Sequence, residues 1–188
     1  MDDRQIRAAI IVVGHIMWLS AAALRIIRGD RPSAASDRSG WLVEHYPVVV
    51  WVPLLFAVFL FTGQVELGLG WQYAGIVVAL AGSLFSAWAM WSLGRGYGVG
   101  TDVFEGHTLK TQGAYAVVRH PMYLGIVDYH VGASLALESL ALLLATALFV
   151  LPYTAVRIAA EERVLRAAFG ERYAAYARRV PRLVPLPR

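Results

Sequence analysis

Five blocks of apolar residues, each near the ~20-residue length that a helix needs to cross a bilayer, constrain this chain more than any other feature. They run Ala8 to Ile27, Tyr46 to Phe61, Trp71 to Leu93, Pro121 to Leu137 and Ser139 to Ile158. Hydrophobic residues make up 58% of the chain and charged residues 16%, against roughly 25% charged in ordinary soluble domains. The expected fold is all-α: a polytopic membrane helical bundle of about five transmembrane helices. Residues 1–188 form one domain, with three N-terminal spans in 8–93 and a more polar half in 94–188.

The first block has the apolar core and the small residues, Ala21-Ala22-Ala23, of a cleavable signal. Its leading segment, Met1 to Arg7, has balanced charge, and Arg25 and Arg28 follow the core, so an uncleaved span is expected. Pro47 and Pro53 start and kink the second. Trp88 and Trp91, three apart on one face, suit packing or an interfacial belt. Charge sets the orientation. Of seventeen Lys and Arg residues, all but Arg4 and Arg7 fall on or next to the side holding loop 28–45, segment 94–119 and the C-terminus. The positive-inside rule then predicts an integral membrane protein with its N-terminus outside and its C-terminus cytoplasmic. The net charge of +4 is explained by that orientation, and no nucleic-acid partner is expected.

Several chemistries are excluded or disfavoured. A chain without cysteine has no disulfide, thiolate zinc site or cysteine nucleophile. The glycine-rich run Gly94 to Gly100 follows a membrane helix instead of a strand and lacks the lysine of a phosphate loop, so it reads as an exit from the membrane. Asp102, Glu105 and His107 do not have metal-ligand spacing, and no metal is expected. His15, inside the first span, is expected to bond a neighbouring helix. For Asp128 and His130, inside the fourth, substrate contact and structural pairing both stay open.

Two polar clusters remain. In Arg119-His120-Pro121-Met122-Tyr123-Leu124-Gly125 the proline places His120 at a helix start, where unpaired N–H groups and the positive helix end can receive a carboxylate or phosphate. One hydrophobic hairpin later, Arg157 and Glu161 stand four apart on one helix face, as an ion pair or as part of a site. Ala159 to Arg179 is expected to be a charged, amphipathic cytoplasmic helix with Leu165, Phe169, Tyr173 and Tyr176 as its apolar stripe. Together the clusters hold a cation, a carboxylate, an imidazole and a phenol, but no obvious nucleophile–base pair. That set suits binding and orienting two substrates for direct transfer.

The same residues resemble a known family, the isoprenylcysteine carboxyl methyltransferase-like membrane methyltransferases, which are related in pattern to phospholipid methyltransferases. The matching elements are His107-Thr108-Leu109 with Thr111, Gly113 and Tyr115, then Arg119 to Gly125. They continue with Arg157, Glu161-Glu162, Leu165, Phe169-Gly170, Tyr173, Tyr176 and Val180-Pro181 with Pro185. The likeness covers about half of the chain, from residue 94 onward, and departs from the pattern at Gly100, Lys110 and Ala114. It implies an enzyme that transfers methyl from S-adenosylmethionine to a lipophilic acceptor, a carboxylate or lipid headgroup, at the cytoplasmic membrane face. It makes 94–188 the cofactor-binding and catalytic half. It further implies cofactor contacts from His107, Thr108, Leu109, Lys110, Tyr115, His120, Pro121, Met122, Tyr123 and Glu161, some through backbone, and a substrate-orienting Arg157. Glu161 would pair with the cofactor's ammonium. Membrane sterol reductases share a related C-terminal pattern, so an NADPH-dependent reductase is an alternative, and a catalytically silent membrane scaffold is another.

Overall fold

The computed structural model describes residues 2–28, 45–93 and 108–185. The regular elements among those residues are all helices, without a strand. In chain order they form α1 (Asp3–Arg28), α2 (Tyr46–Leu60), α3 (Leu69–Leu93), the short α4 (Ala114–Val117) and α5 (Pro121–Ala136). Then come α6 (Leu140–Ala145), a π-helical segment (Thr146–Val150) and α7 (Leu151–Arg179). Loop 28–45 and segment 94–107, with the glycine-rich run, Asp102, Glu105 and His107, lie outside the described residues apart from Arg28 and His45.

Helices stand where the five blocks predict them. Leu69–Leu93 and the continuous run Leu140–Arg179 are each long and apolar enough to cross a bilayer. The 15 residues of α2 reach about 22 Å, short of the ~30 Å hydrocarbon core. Large apolar side chains point outward, Phe59 at 75% exposure with Phe56, Val77, Leu84, Leu148 and Phe149. In water that would be an apolar patch far larger than soluble monomers carry; against lipid it costs nothing. Trp88 and Trp91 belong to this outer surface.

The inner seam is made of glycine. Gly75 and Gly82 of α3 face Gly132 and Gly125 of α5 so closely that a Cβ on Gly82 would lie 2.6 Å from the Gly125 carbonyl oxygen. Small residues let helix backbones touch where lipid offers no hydrophobic drive to associate. α1 closes on this pair through Trp18 Nε1, which donates to Ser86 Oγ at 2.8 Å, and through the Tyr129 hydroxyl, which donates to the Ile11 carbonyl. His15 is buried among the rings of Trp18, Trp51 and Tyr129, and its Nδ1 has no hydrogen-bond partner. Aromatic packing thus takes the place of the expected helix-to-helix bond. His130 is structural: its nitrogens face the carbonyls of Ile126 and Val50, at 2.8 and 2.9 Å, tying α5 to α2.

At one end of the bundle Glu138 makes the turn between α5 and α6, with positive φ. It pairs with Arg7 at 3.1 Å and accepts from Leu67 N and Gln72 Nε2. The chain's first turns therefore sit at this end, while residues 180–182 sit at the other, against Arg119 and His120.

One expectation needs correction. The fifth block and the charged C-terminal segment do not separate near Ala159; the helix runs unbroken through Arg157 and Glu162 and kinks at Gly170 (φ 49°, ψ −124°). Ile158-Ala159-Ala160-Glu161 contains no helix breaker, and Gly170 is the first residue that takes a left-handed backbone without strain. Upstream, Pro152 cannot donate within the helix, and the π-helical segment before it absorbs the misfit. Thr146 Oγ1 donates there to the Leu142 carbonyl at 2.7 Å.

Candidate active site at the α5 start

The glycine seam fixes where α5 begins, and that beginning carries the site. Gly113, at φ 62°, turns the chain into α4 against Ser92. Val118 is then extended (φ −140°, ψ 157°) and His120 caps α5 ahead of Pro121, as a pre-proline residue must stay out of the helical region. The extended stretch is sewn to the C-terminal tail. Arg119 N donates to the Pro181 carbonyl at 2.8 Å and His120 N to the Arg182 carbonyl at 3.1 Å. Arg119 Nη1 donates to the Ala177 carbonyl, and the Tyr176 hydroxyl to the Tyr115 carbonyl at 2.6 Å.

Against this start α7 sets Arg157, Glu161 and Glu162. Arg157 Nε donates to the Tyr123 hydroxyl at 3.1 Å, and its guanidinium lies 5.9 Å from the centre of the Tyr46 ring. Tyr46 meets Tyr123 edge-on and stacks on Tyr153. His120 stands between two carboxylates, its Nδ1 3.6 Å from Glu161 Oε2 and its Nε2 3.3 Å from Glu162 Oε1. The two glutamates differ. The Glu162 side chain is 3% exposed, and Arg119, Arg166 and Arg182 also meet it. The Glu161 side chain is 33% exposed, and its Oε2 meets the His120 ring only as an ion pair at 3.6 Å and accepts no hydrogen bond.

Glu161 and Glu162 lie past Ile158, where one apolar block ends, and His120 lies just ahead of Pro121, where another begins, so these charged groups meet at one end of the bundle and reinforce one another's charge. Burial works against a charged His120, but the hydrogen bond to Glu162 and the attraction of both Glu161 and Glu162 outweigh it and raise its pKa. Burial likewise opposes ionisation of Glu161, yet His120 and Arg157 hold it below the usual carboxylate range. For Glu162 the opposing burial is overcome by His120, Arg182 and Arg119, which hold it far below that range. An ionised carboxylate with one unmatched oxygen and an open side suits an added cation. Beside it, the first N–H groups of α5 lack intrahelical acceptors and suit an anion.

His120, Tyr123, Arg157 and Glu161 are thus brought together as the sequence suggested, with Pro121 buried at the joint. Met122 and Tyr115 flank them half-buried, while Thr108 and Lys110 are exposed and Leu109 half-buried on the approach to α4. His107 lies outside the described residues. Asp128 stays on the flank of α5 and takes no part in the cluster. Sequence reasoning did not single out Tyr46, Arg119 or Arg182 as site residues, and it left Glu162 without a role. The doubled glutamate was a signal for Glu162; Tyr46 carried none, since it comes from another helix.

The family model for phospholipid methyltransferases matches residues 71–172, over half of the chain. Protein-S-isoprenylcysteine O-methyltransferase A of Arabidopsis thaliana is 30% identical over 151 residues, covering 77% of this chain and 75% of that protein. The B protein of the same plant is 34% identical over 116 residues, covering 59% of this chain and 57% of its own length. The human protein-S-isoprenylcysteine O-methyltransferase is 32% identical over 113 residues, which is 40% of its length. Among solved structures, a eukaryotic intramembrane Ras methyltransferase (an isoprenylcysteine carboxyl methyltransferase) superposes with a TM-score of 0.58 at 25% identity. That match covers 75% of this chain and 51% of the other. The chain therefore spans between two fifths and three quarters of the relatives named here.

Proposed function

The chain belongs to the phospholipid methyltransferase family, and from that premise we propose that it transfers a methyl group from S-adenosylmethionine to a lipophilic acceptor. The transfer takes place where His120, Tyr123, Arg157 and Glu161 meet. The observation that carries this reading is the unmatched Oε2 of Glu161, set beside the open first turn of α5. One position offers a partner for an ammonium and the other for a carboxylate, the two charged ends of an amino-acid moiety.

When bound, S-adenosylmethionine supplies an electrophilic methyl group on a cationic sulfonium. The residues of this chain bind and orient. Glu161 would hold the ammonium, and the Met122 and Tyr123 N–H groups would receive the carboxylate. By the family resemblance, His107, Thr108, Leu109, Lys110 and Tyr115 would contribute further cofactor contacts. Arg157 orients the acceptor, its guanidinium plane set by the bond to Tyr123 and the ring of Tyr46. A carboxylate acceptor is already deprotonated at neutral pH, so its attack needs no general base. This fits a cluster that positions groups and lacks a nucleophile–base pair.

The acceptor class rests on Arg157 and on the relatives, whose names specify O-methyl transfer to protein S-isoprenylcysteine. An apolar acceptor reaches the site from the bilayer through the lipid-facing surfaces of α2 and α7. The relatives named above are methyltransferases, which favours transfer over reduction with NADPH. The site faces the cytoplasm, because all but two of the seventeen cations lie at that end by the sequence pattern, while Arg7 is held at the other end by Glu138. Calorimetric titration of the purified protein with S-adenosylmethionine and with NADPH tests the reading. Saturable heat from the first and none from the second is expected; binding of NADPH alone would reverse the assignment.

A further inference from the structure

Glu162 collects more cationic side chains than any other carboxylate among the described residues: Arg119 at 3.1 Å, His120 at 3.3 Å, Arg166 at 3.5 Å and Arg182 at 2.5 Å. These come from three segments: the extended stretch before α5, α7 itself and the C-terminal tail. Neutralising one buried carboxylate does not require so many cations, since a single well-made pair does that. What the arrangement adds is a fixed place for the His120 ring, whose backbone N–H is also held by the Arg182 carbonyl.

The ring nitrogens of His120 face different carboxylates. A neutral imidazole has one N–H, and its other nitrogen is an acceptor. An acceptor nitrogen opposite Glu161 Oε2 would set two lone pairs against each other. With both carboxylates ionised, and Arg157 the other cation near Glu161, the ring therefore carries both protons until a further cation reaches Glu161. A cation arriving at Glu161 changes that balance, because His120 then needs only the Nε2–H that it gives to Glu162. Around the ring stand Glu161 and Glu162 from α7, Tyr123 from α5 with ring centres 5.9 Å apart, Arg182 from the tail and the adjoining Arg119. The three arginines at Glu162 offset its charge and leave Glu161 as the carboxylate with an unmatched oxygen.

We infer that Glu162 is a positioning residue for cofactor binding: it fixes His120 through Nε2 so that a cation docking on Glu161 expels the His120 Nδ1 proton to solvent. This rests on the cofactor reading of Glu161 given above and adds a proton to it. Binding then tightens as pH rises, about tenfold per unit below the free protein's His120 pKa, and levels off above it.

The test is calorimetry of S-adenosylhomocysteine binding to the detergent-solubilised protein between about pH 6 and 8.5, in buffers of different ionisation enthalpy. The wild type should release up to ~one proton on binding. Glu162→Gln should move the release and the bend in affinity to lower pH, since His120 keeps only one carboxylate. His120→Asn should bind without releasing a proton, and it serves even if Glu162→Gln folds poorly. A merely structural Glu162 would lower the melting temperature but leave the pH profile of the folded fraction in place. A profile of Glu162→Gln that overlies the wild type, or wild-type binding with no proton released, overturns the inference while leaving the cofactor site intact. A wild type that binds no S-adenosylhomocysteine at all removes the cofactor reading, and this inference with it.

Discussion

Arg157 and Glu161 lie on one face of α7, yet they should fail in different ways when changed. Arg157→Lys keeps the charge and loses the planar fork. The lost Nε–H bond to the Tyr123 hydroxyl is a charged hydrogen bond, worth about 1.5–3 kcal/mol. The contact with the Tyr46 ring adds about 0.5–1 kcal/mol, and the ammonium recovers part of both. The net loss of stability should be about 1–2 kcal/mol, small enough for the protein to fold. Turnover should suffer more, because a displacement of about 1 Å in an in-line transfer costs on the order of a hundredfold. Glu161→Gln instead removes the charge proposed to hold the cofactor's ammonium, so about 1.5–3 kcal/mol of binding should be lost, a rise in Kd of about 10- to 150-fold. Melting temperature, S-adenosylhomocysteine affinity and turnover per folded molecule, measured on both variants, give the comparison. The expected pattern is normal affinity with poor turnover in Arg157→Lys, and poor affinity in Glu161→Gln. Unchanged turnover in Arg157→Lys would refute the orienting role. Lower stability with intact turnover in both variants would reduce the pair to a structural ion pair.

Further outcomes follow from the same geometry. Gly82→Ala drives a methyl against the Gly125 carbonyl and should cost about 1–3 kcal/mol; a melting temperature in detergent equal to the wild type would contradict the tight α3–α5 seam. The depressed Glu162 contributes stability above its unfolded pKa of about 4.3, and that contribution fades as pH falls toward the folded value. The melting-temperature gap between wild type and Glu162→Gln should therefore be wide at pH ~6 and shrink below pH ~4. The raised His120 acts in the opposite sense, so ligand-free protein should lose stability as pH climbs through the folded His120 pKa, which lies above about 6.5. Reporter fusions at the two termini should read opposite sides of the membrane, with the C-terminus cytoplasmic, and a shared side would break the five-span topology.

The elements that the sequence revealed are those with local causes. Pro121 after His120 marked the start of α5, and the apolar block ending at Leu137 marked its end, within a residue of the structure. Arg157 and Glu161 could be placed on one face by their spacing alone. What stayed hidden depends on contacts distant in sequence. Arg182 and His120 meet Glu162 from 20 and 42 positions away, and Tyr46 reaches the site from α2. The continuous α6–α7 run was masked by a change in composition at Ala159 that is not a change in backbone. The glycine seam did leave a trace, since Gly75 and Gly82, like Gly125 and Gly132, stand seven apart, two helical turns on one face. His130 looked like a candidate ligand because a histidine in an apolar block is costly. Its one N–H finds an acceptor in a carbonyl of Ile126 or Val50, which no sequence pattern displays.

Methyl transfer itself is tested most directly with methyl-labelled S-adenosylmethionine, purified protein and a total lipid extract supplemented with a prenylcysteine analogue. The label should pass into the organic phase with wild-type protein, fall about a hundredfold with Arg157→Lys and fall with Glu161→Gln at subsaturating donor. Should the carboxylate be the acceptor, the labelled product will be an ester that releases its label on mild alkaline hydrolysis. Folded wild-type protein that binds the donor yet moves no label into any lipid or prenylcysteine fraction would contradict the assignment as a methyltransferase.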